Sequence, residues 1–350
     1  MRFNPVSAAL FGLVCMLGAG AAYAEGVVAP CPSLLAQSSD MGAEELLKRM
    51  ASAMQTTNYE GLLLHMRGGE ARSMRVFHRY DAEHGEREHL VSLDGKPFEV
   101  VQDSQGCTCV WPQSRLVVVG HTPAFNGRLF TERFAEAGSL GAFYAISLQG
   151  QARVGGIGCR LVRLAPRDAY RFGYRLCIHE PSAMLLNLEV FNGERRLELS
   201  QFTQLRMRKE ADTDDMRLFS NIDGFRVVED KPEAPLQGEG RAAFKSGWLA
   251  AVLPPGYVQR SAELRSTPHR PKPLEQLIFS DGLSSVSVFI ERLDAPEPAA
   301  NEGKPHPRGV MQRVVREVDG YRLTAVGDAP EAAMRMMLEG MQPVTPRSED

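Results

Sequence analysis

The chain has 350 residues, with 40 Lys and Arg against 43 Asp and Glu, a formal charge of −3 at pH 7. Without a basic excess it lacks the electrostatic footprint that phosphate binding needs, which excludes nucleic acid as its main partner. With 43% hydrophobic residues, the length suits two domains, each able to bury a core without depending on disulfides.

Residues 1–24 read as a secretory signal peptide. Arg2 supplies the positive start, Ala8 to Ala21 is a short apolar run, and Ala22-Tyr23-Ala24 is an Ala-x-Ala cleavage site. The run is shorter than a membrane-spanning helix requires, so a soluble exported chain cleaved near Ala24 is expected. Cleavage leaves five cysteines, at 31, 107, 109, 159 and 177; an odd number leaves at least one thiol unpaired in a monomer.

Residues 40–56 carry a helix pattern. Asp40 can cap it, Glu44 and Glu45 suit its positive end, and Leu46, Leu47, Met50 and Met54 share a face. From Tyr59 to His121 short apolar or alternating runs, separated by Gly68-Gly69, Glu83–Glu86, Asp94-Gly95 and Pro112-Gln113, indicate an antiparallel meander. His78, His84 and His89 sit among Glu83, Glu86 and Glu88 near one of those turns. Alternating strand faces scatter them, so they read as a solvated hairpin tip and not as a metal site. Cys107 and Cys109 share a strand face but lack the two further ligands of a zinc site. No metal and no cofactor is expected.

Residues 123–146 interrupt the meander. Phe125, Leu129, Phe130, Phe134, Leu140, Phe143 and Tyr144 crowd here at helix-compatible spacing. They read either as ordinary core or as the wall of a hydrophobic ligand cavity, because a half-open sheet covered by helices leaves an apolar interior. Ala137-Gly138-Ser139-Leu140-Gly141 looks like a hydrolase nucleophile elbow, but a helical segment precedes it where the motif needs a strand. A helix-to-helix turn is expected instead, and no catalytic residue is assigned. Strands resume over 151–164, 170–178, 185–191 and 196–207. Cys159 and Cys177 lie symmetrically about a turn near Asp168; this fits a cross-strand disulfide in an oxidising compartment, and it also fits two separate core cysteines. Sheet, then helices, then sheet again indicates an α+β class.

Residues 209–240 read as a linker, charged at first and Pro-rich later, with a short ordered piece at Phe225–Val228. A second unit covers 241–343. It holds the Trp248–Tyr257 segment and two apolar runs flanking Asp281-Gly282, a dipeptide that favours a tight turn because Gly tolerates positive φ. After the turn Val286, Val288 and Ile290 fall on one face, and Ser285, Ser287 and Phe289 on the other. Strands near 309–316 and 321–326 precede a final helix. Asp328 and Glu331 form a capping box around Pro330, and Met334, Met337, Leu338 and Met341 share a face. Residues 344–350 read as a frayed tail.

Four segments carry a family resemblance. They are Trp248 to Tyr257, Phe279-Ser280-Asp281-Gly282-Leu283-Ser284, Leu93 to Gln102, and Cys159 to Leu164. In order and spacing they resemble the RseB/MucB family of periplasmic negative regulators of envelope-stress sigma factors. The likeness runs over nearly all of the chain after the signal peptide; the Cys107/Cys109 pair, Cys177 and the C-terminal tail depart from it. The resemblance implies that residues 25–208 form a LolA/LolB-like unclosed antiparallel β-barrel with a helical plug, its lipid cavity lined by the 125–144 cluster. It implies that the smaller C-terminal α+β domain binds the periplasmic segment of an anti-sigma factor, with Trp248, Tyr257, Phe279, Asp281, Val286 and Phe289 as contact residues. The expected action is shielding of that segment from regulated proteolysis, ended by lipid, lipopolysaccharide or mislocalised lipoprotein. Homo-oligomers are implied by the resemblance alone. An enzyme is not expected; the runner-up is a periplasmic carrier of lipoproteins or lipids.

Overall fold

The computed structural model describes residues 42–120, 137–209, 214–230, 246–265, 273–293 and 309–344. The sequence-predicted signal peptide lies outside them, as do Asp40, Phe125, Leu129, Phe130 and Phe134.

Helix α1 (Ala43–Thr56) starts after Gly42 with no side-chain cap, and Glu44 and Glu45 in its first turn complement its dipole. Twelve strands follow: β1 (Asn58–Arg67), β2 (Glu70–Asp81), β3 (Gly85–Ser92), β4 (Glu99–Gln102), β5 (Cys107–Trp111), β6 (Leu116–Gly120), β7 (Tyr144–Val154), β8 (Ile157–Pro166), β9 (Gly173–Ile178), β10 (Leu185–Asn192), β11 (Arg195–Arg208) and β12 (Arg226–Asp230). They form one sheet in the order β12-β6-β5-β4-β3-β2-β1-β11-β10-β9-β8-β7. Its two end strands, β12 and β7, are not paired with each other, so the sheet is unclosed. The apolar stripe of α1 (Leu46, Leu47, Met50 and Met54) packs in one cluster with Tyr59, Leu63, Val76, Leu90 and Val100. This is the expected architecture, an open sheet with helical cover, and burial of that stripe stabilises a helix whose propensity alone would not suffice.

The sheet departs from the expected antiparallel pattern at one edge. β12 runs parallel to β6, Arg226 opposite Leu116 and Asp230 opposite Gly120. The Arg226 N–H donates to the Arg115 carbonyl at 2.8 Å, and the Arg115 guanidinium reaches the carbonyls of Asp223 and Gly224. Part of the segment read as a linker is therefore an edge strand.

The other face of β2, β3 and β4 is covered by the segment after β11, which corrects the reading of the histidines. His89 is fully buried, while His84 is exposed at the β2–β3 turn. His89 Nδ1 lies 2.5 Å from the Asp215 carbonyl and Nε2 lies 2.7 Å from Glu99 Oε1. Both partners are acceptors, so both ring nitrogens must carry protons for the two bonds to form together. Glu99 also accepts from the backbone N–H groups of Phe219 (2.6 Å) and Ser220 (2.9 Å). The Phe219 ring packs on His89 at 4.7 Å and edge-on to Phe77 at 5.7 Å. Arg79, fully buried, pairs with Asp215 and donates to the carbonyls of Tyr59 and His78. His78 is buried as well, stacked on Tyr59 with ring centroids 4.7 Å apart. The hairpin reads as polar in sequence because its apolar and aromatic cover arrives from more than a hundred residues away.

Burial alone would raise the Glu99 pKa, but hydrogen bonds from His89, the Ser220 side chain and the two backbone N–H groups outweigh it and hold the carboxyl at about 2, against an ordinary 4.5. The folded value lies below the unfolded one. The stabilisation is therefore fully present above pH 4.5 and is lost as pH falls toward about 2. Urea midpoints measured across that window should fall steeply for the native chain and less steeply for Glu99→Gln, which is also expected to be less stable at pH 7. Parallel slopes would show that Glu99 is not held this way.

The remaining elements are β13 (Trp248–Ala250), β14 (Val258–Arg265), β15 (Leu274–Ser280), β16 (Ser285–Arg292), β17 (Gln312–Val318), β18 (Tyr321–Gly327), α2 (Glu331–Gly340) and β19 (Met341–Pro343). A five-stranded antiparallel sheet runs β14-β15-β16-β18-β17, and β13 pairs with β19. Met334, Met337 and Leu338 of α2 pack with Leu277, Val288, Leu323 and Ala325. This smaller unit completes the α+β class. The capping box does not form: Pro330 occupies the cap position and no side chain caps the helix. Asp328, shortly before the cap residue, instead accepts the Ser285 N–H at 2.6 Å and ties the helix entrance to β16. Glu331 becomes the first helical residue and pairs with Arg335 at 2.6 Å.

Candidate functional site

The proposed contact residues of the C-terminal half fall mainly inside it. Trp248, Tyr257, Phe279 and Val286 belong to one buried cluster with α2. Trp248 meets Tyr321 edge-on at 5.1 Å. On β15 and β16, Phe279 stands opposite Val286 with both facing the helix, as the period of two requires. Phe289, half-buried, lies on the other face opposite Gln276 and Thr324. In this structure the first four side chains support a surface from behind; of the apolar residues proposed, Phe289 is the one on the face away from α2.

Asp281 has a different neighbourhood from the rest. Its Oδ1 accepts from the N–H groups of Leu283 (3.0 Å) and Ser284 (2.8 Å) and from the Ser284 hydroxyl (3.0 Å), which shapes the β15–β16 turn together with Gly282 at φ 93°. Its Oδ2 lies 2.9 Å from Nε of Arg171, a residue between β8 and β9; both side chains are essentially inaccessible. The alignment there is that of an ion contact and not a hydrogen bond. Arg171 also pairs with Asp168 and donates to the Pro255 carbonyl. Its guanidinium sits 4.2 Å from the Phe143 ring centre and 5.4 Å from that of Tyr257. The Tyr257 hydroxyl lies 2.7 Å from Ser284 Oγ and 3.3 Å from the Tyr170 carbonyl, and its one proton serves either acceptor. Burial, followed by the Asp281 charge, pushes the Tyr257 pKa up and keeps it a neutral donor. Leu283 packs into the cluster of the large sheet. The Asp281 hairpin is thus a socket for an arginine of the N-terminal half.

Three residues of the aromatic cluster are described. Leu140 ends up buried in a 3-10 segment (Ala137–Ala142), Phe143 is half-buried over Arg171, and Tyr144 is buried at the start of β7. The Tyr144 hydroxyl meets no protein partner among the described residues. Burial, then Tyr174 and Asp281, raise its pKa. A cavity of about 630 Å³ lies elsewhere, lined by Leu62, Arg75, Phe77, Ile157, Thr203 and Arg206 among others; of the described residues predicted to line a cavity, Leu140, Phe143 and Tyr144, none lines it.

Cys159 and Cys177 are bonded to each other, with Cα atoms 5.4 Å apart. Leu161 is the residue directly opposite Cys177, so the bridge is diagonal between β8 and β9. Cys107 and Cys109 are free thiols. Burial, followed by the neighbouring Cys107, pushes the Cys109 thiol up to about 12, the reverse of what a reactive thiolate needs. Among the described residues no group of His, Cys, Asp and Glu is placed to hold a metal ion, and no helix is long and apolar enough to cross a membrane. Sequence reasoning missed Arg171 and Tyr170. A lone arginine between two strands gives no periodic signal, and its partners in the C-terminal half lie about a hundred residues away.

Comparison with known proteins covers both halves. The family model of the MucB/RseB N-terminal domain matches residues 42–218, and that of the MucB/RseB C-terminal domain matches residues 242–342. The sigma factor AlgU regulatory protein MucB of Pseudomonas aeruginosa is 28% identical over 290 residues, covering 82% of this chain and 87% of that protein. The sigma-E factor regulatory protein RseB of Escherichia coli K12 is 23% identical over 304 residues, covering 85% and 89%. Among solved structures, MucB in complex with MucA(peri) superposes with a TM-score of 0.66 at 24% identity, over 87% of this chain and 99% of that one. A crystal structure of MucB alone gives 0.61 at 24% identity, over 88% and 99%. With both family models matched in order and the open sheet followed by the smaller one, the chain belongs to the MucB/RseB family.

Proposed function

We propose that the chain is a periplasmic regulator that binds the periplasmic segment of a membrane anti-sigma factor and shields it from regulated proteolysis. Lipid, lipopolysaccharide or mislocalised lipoprotein ends the shielding. The observation that carries this reading is membership of the family over both halves, because a relative of the same two-part build is known bound to MucA(peri). Shielding needs no chemistry: a segment held against a folded surface cannot enter a protease cleft.

In this reading residues 241–343 form the partner-binding domain, with Phe289 on its contact face and Trp248, Tyr257, Phe279 and Val286 holding that face in shape. Phe125, Leu129, Phe130, Phe134, Leu140, Phe143 and Tyr144 form the wall that meets lipid, and homo-oligomers belong to the reading on the family resemblance alone. A ligand releases the partner only if it favours the released state, since equal affinity for both states shifts nothing. The test is capture of the anti-sigma factor's periplasmic segment by the mature chain in lipid-free buffer, then with purified lipopolysaccharide. Capture that lipopolysaccharide reverses is expected. No capture without lipid would remove the reading, and capture indifferent to lipid would remove its second half.

A further inference from the structure

We propose that Arg171 is a positioning residue that transmits the state of the 137–144 segment to the C-terminal sheet. Phe143, at the end of the 3-10 segment, covers one side of the guanidinium at 4.2 Å, and the Asp281 hairpin holds another at 2.9 Å. Gly256 lets the backbone approach: it has φ +83°, and a Cβ there would stand 2.5 Å from Phe143 Cζ and 2.7 Å from Arg171 Nη2. The Pro255 carbonyl, the Tyr257 ring and the Asp281 carboxylate, all of the C-terminal half, therefore close on one arginine of the N-terminal half, and Phe143 is the lid of that joint. Phe143 is only half-buried, so an acyl chain entering beside Leu140 and Tyr144 can displace its ring. Displacement uncovers the guanidinium and removes a cation–π contact that is strongest where water is excluded. Arg171 and Asp281 then hydrate, and the hairpin leaves its socket together with Leu283, which packs in the N-terminal cluster.

The lipid part of this inference rests on the function proposed above, whereas the joint does not. Hydrogen exchange on the full mature chain, with neither lipid nor partner, tests the joint. In Arg171→Met, peptides covering Tyr170–Phe172, Pro254–Tyr257 and Asp281–Ser284 should exchange about tenfold faster or more, as loss of a desolvated cation–π contact implies. Peptides of α1 and of β16 should not change. Phe143→Leu keeps apolar bulk but loses the ring, and should give the same local pattern; it decides the matter if Arg171→Met fails to fold. Unchanged exchange on either side of the joint in Phe143→Leu overturns the proposal. A second arm measures the lipopolysaccharide concentration that releases the anti-sigma segment. Both variants should lower it, while Val288→Ala, which weakens the C-terminal core away from the joint, should not. Faster exchange at the joint with no lipopolysaccharide effect on any variant would leave the joint standing and remove the lipid reading.

Discussion

Gly327→Ala is expected to unfold the C-terminal sheet. Gly327 ends β18 directly opposite Val286 on one side and Gln312 on the other. An added Cβ would lie 2.7 Å from the Val286 Cα and closer still to the Ser285 carbonyl oxygen. Both are backbone atoms in the strand that follows the Asp281 turn, and neither can swing aside as a side-chain tip would. Relief requires β16 and β18 to part where the Ser285 N–H also donates to Asp328. A loss above about 4 kcal/mol is expected, the range reserved for steric failure in a core. Gly320 in the same hairpin is the control. It has positive φ (+75°) but open space around its Cβ position, so Gly320→Ala should cost only about 1–2 kcal/mol for the left-handed backbone. Urea unfolding followed by fluorescence separates the two, since Trp248 lies in the affected core. Similar small losses at both glycines would mean that β16 and β18 do not pair in this register.

The second large effect is expected at Arg79. Its side chain is fully buried, pairs with Asp215 and donates to two backbone carbonyls. Arg79→Met removes the charge but strands the Asp215 carboxylate and both carbonyls, and breaking a buried pair in this way costs about 3–5 kcal/mol. Asp215 also supplies the carbonyl that His89 meets, so the cover over β2, β3 and β4 should loosen as a unit. Arg79→Met combined with Asp215→Asn should cost clearly less than the sum of the two single changes, because the residues share one network. The exposed helical pair Glu331–Arg335 is the comparison, and Arg335→Met there should cost no more than about 0.5 kcal/mol. Additive losses at Arg79 and Asp215 would deny the pairing.

The elements that could be read from sequence are those whose signal is local. The stripes of α1 and α2 follow a period near 3.6, and the Asp281-Gly282 turn lies between two alternating runs, so their places need no knowledge of the rest. What escaped depends on distant segments. An apolar strand face looks the same whether it meets its own helix or a visiting chain, and for that reason Trp248, Phe279 and Val286 read as contact residues although α2 covers them. His89 reads as solvated because nothing near it announces Asp215 and Phe219, and His78 because its cover, the Tyr59 ring, lies on the neighbouring strand. The parallel pairing of β12 with β6 joins segments more than a hundred residues apart, and backbone pairing at an edge leaves little trace in side-chain pattern. Asp281 reads as a turn residue from its spacing and as a contact residue from the family resemblance. Its carboxylate is also half of the contact with Arg171, which no spacing rule reveals. Phe125, Leu129, Phe130 and Phe134 lie outside the described residues.

Under the proposed function this chain acts by occupying an anti-sigma factor segment. The direct measurement is the rate at which the protease of the first regulated cleavage cuts that segment, alone, with a stoichiometric amount of the mature chain, and with lipopolysaccharide added. The account predicts that cleavage slows in proportion to the fraction bound and recovers when lipopolysaccharide is present. A segment shown to be bound yet cut at its free rate would contradict it.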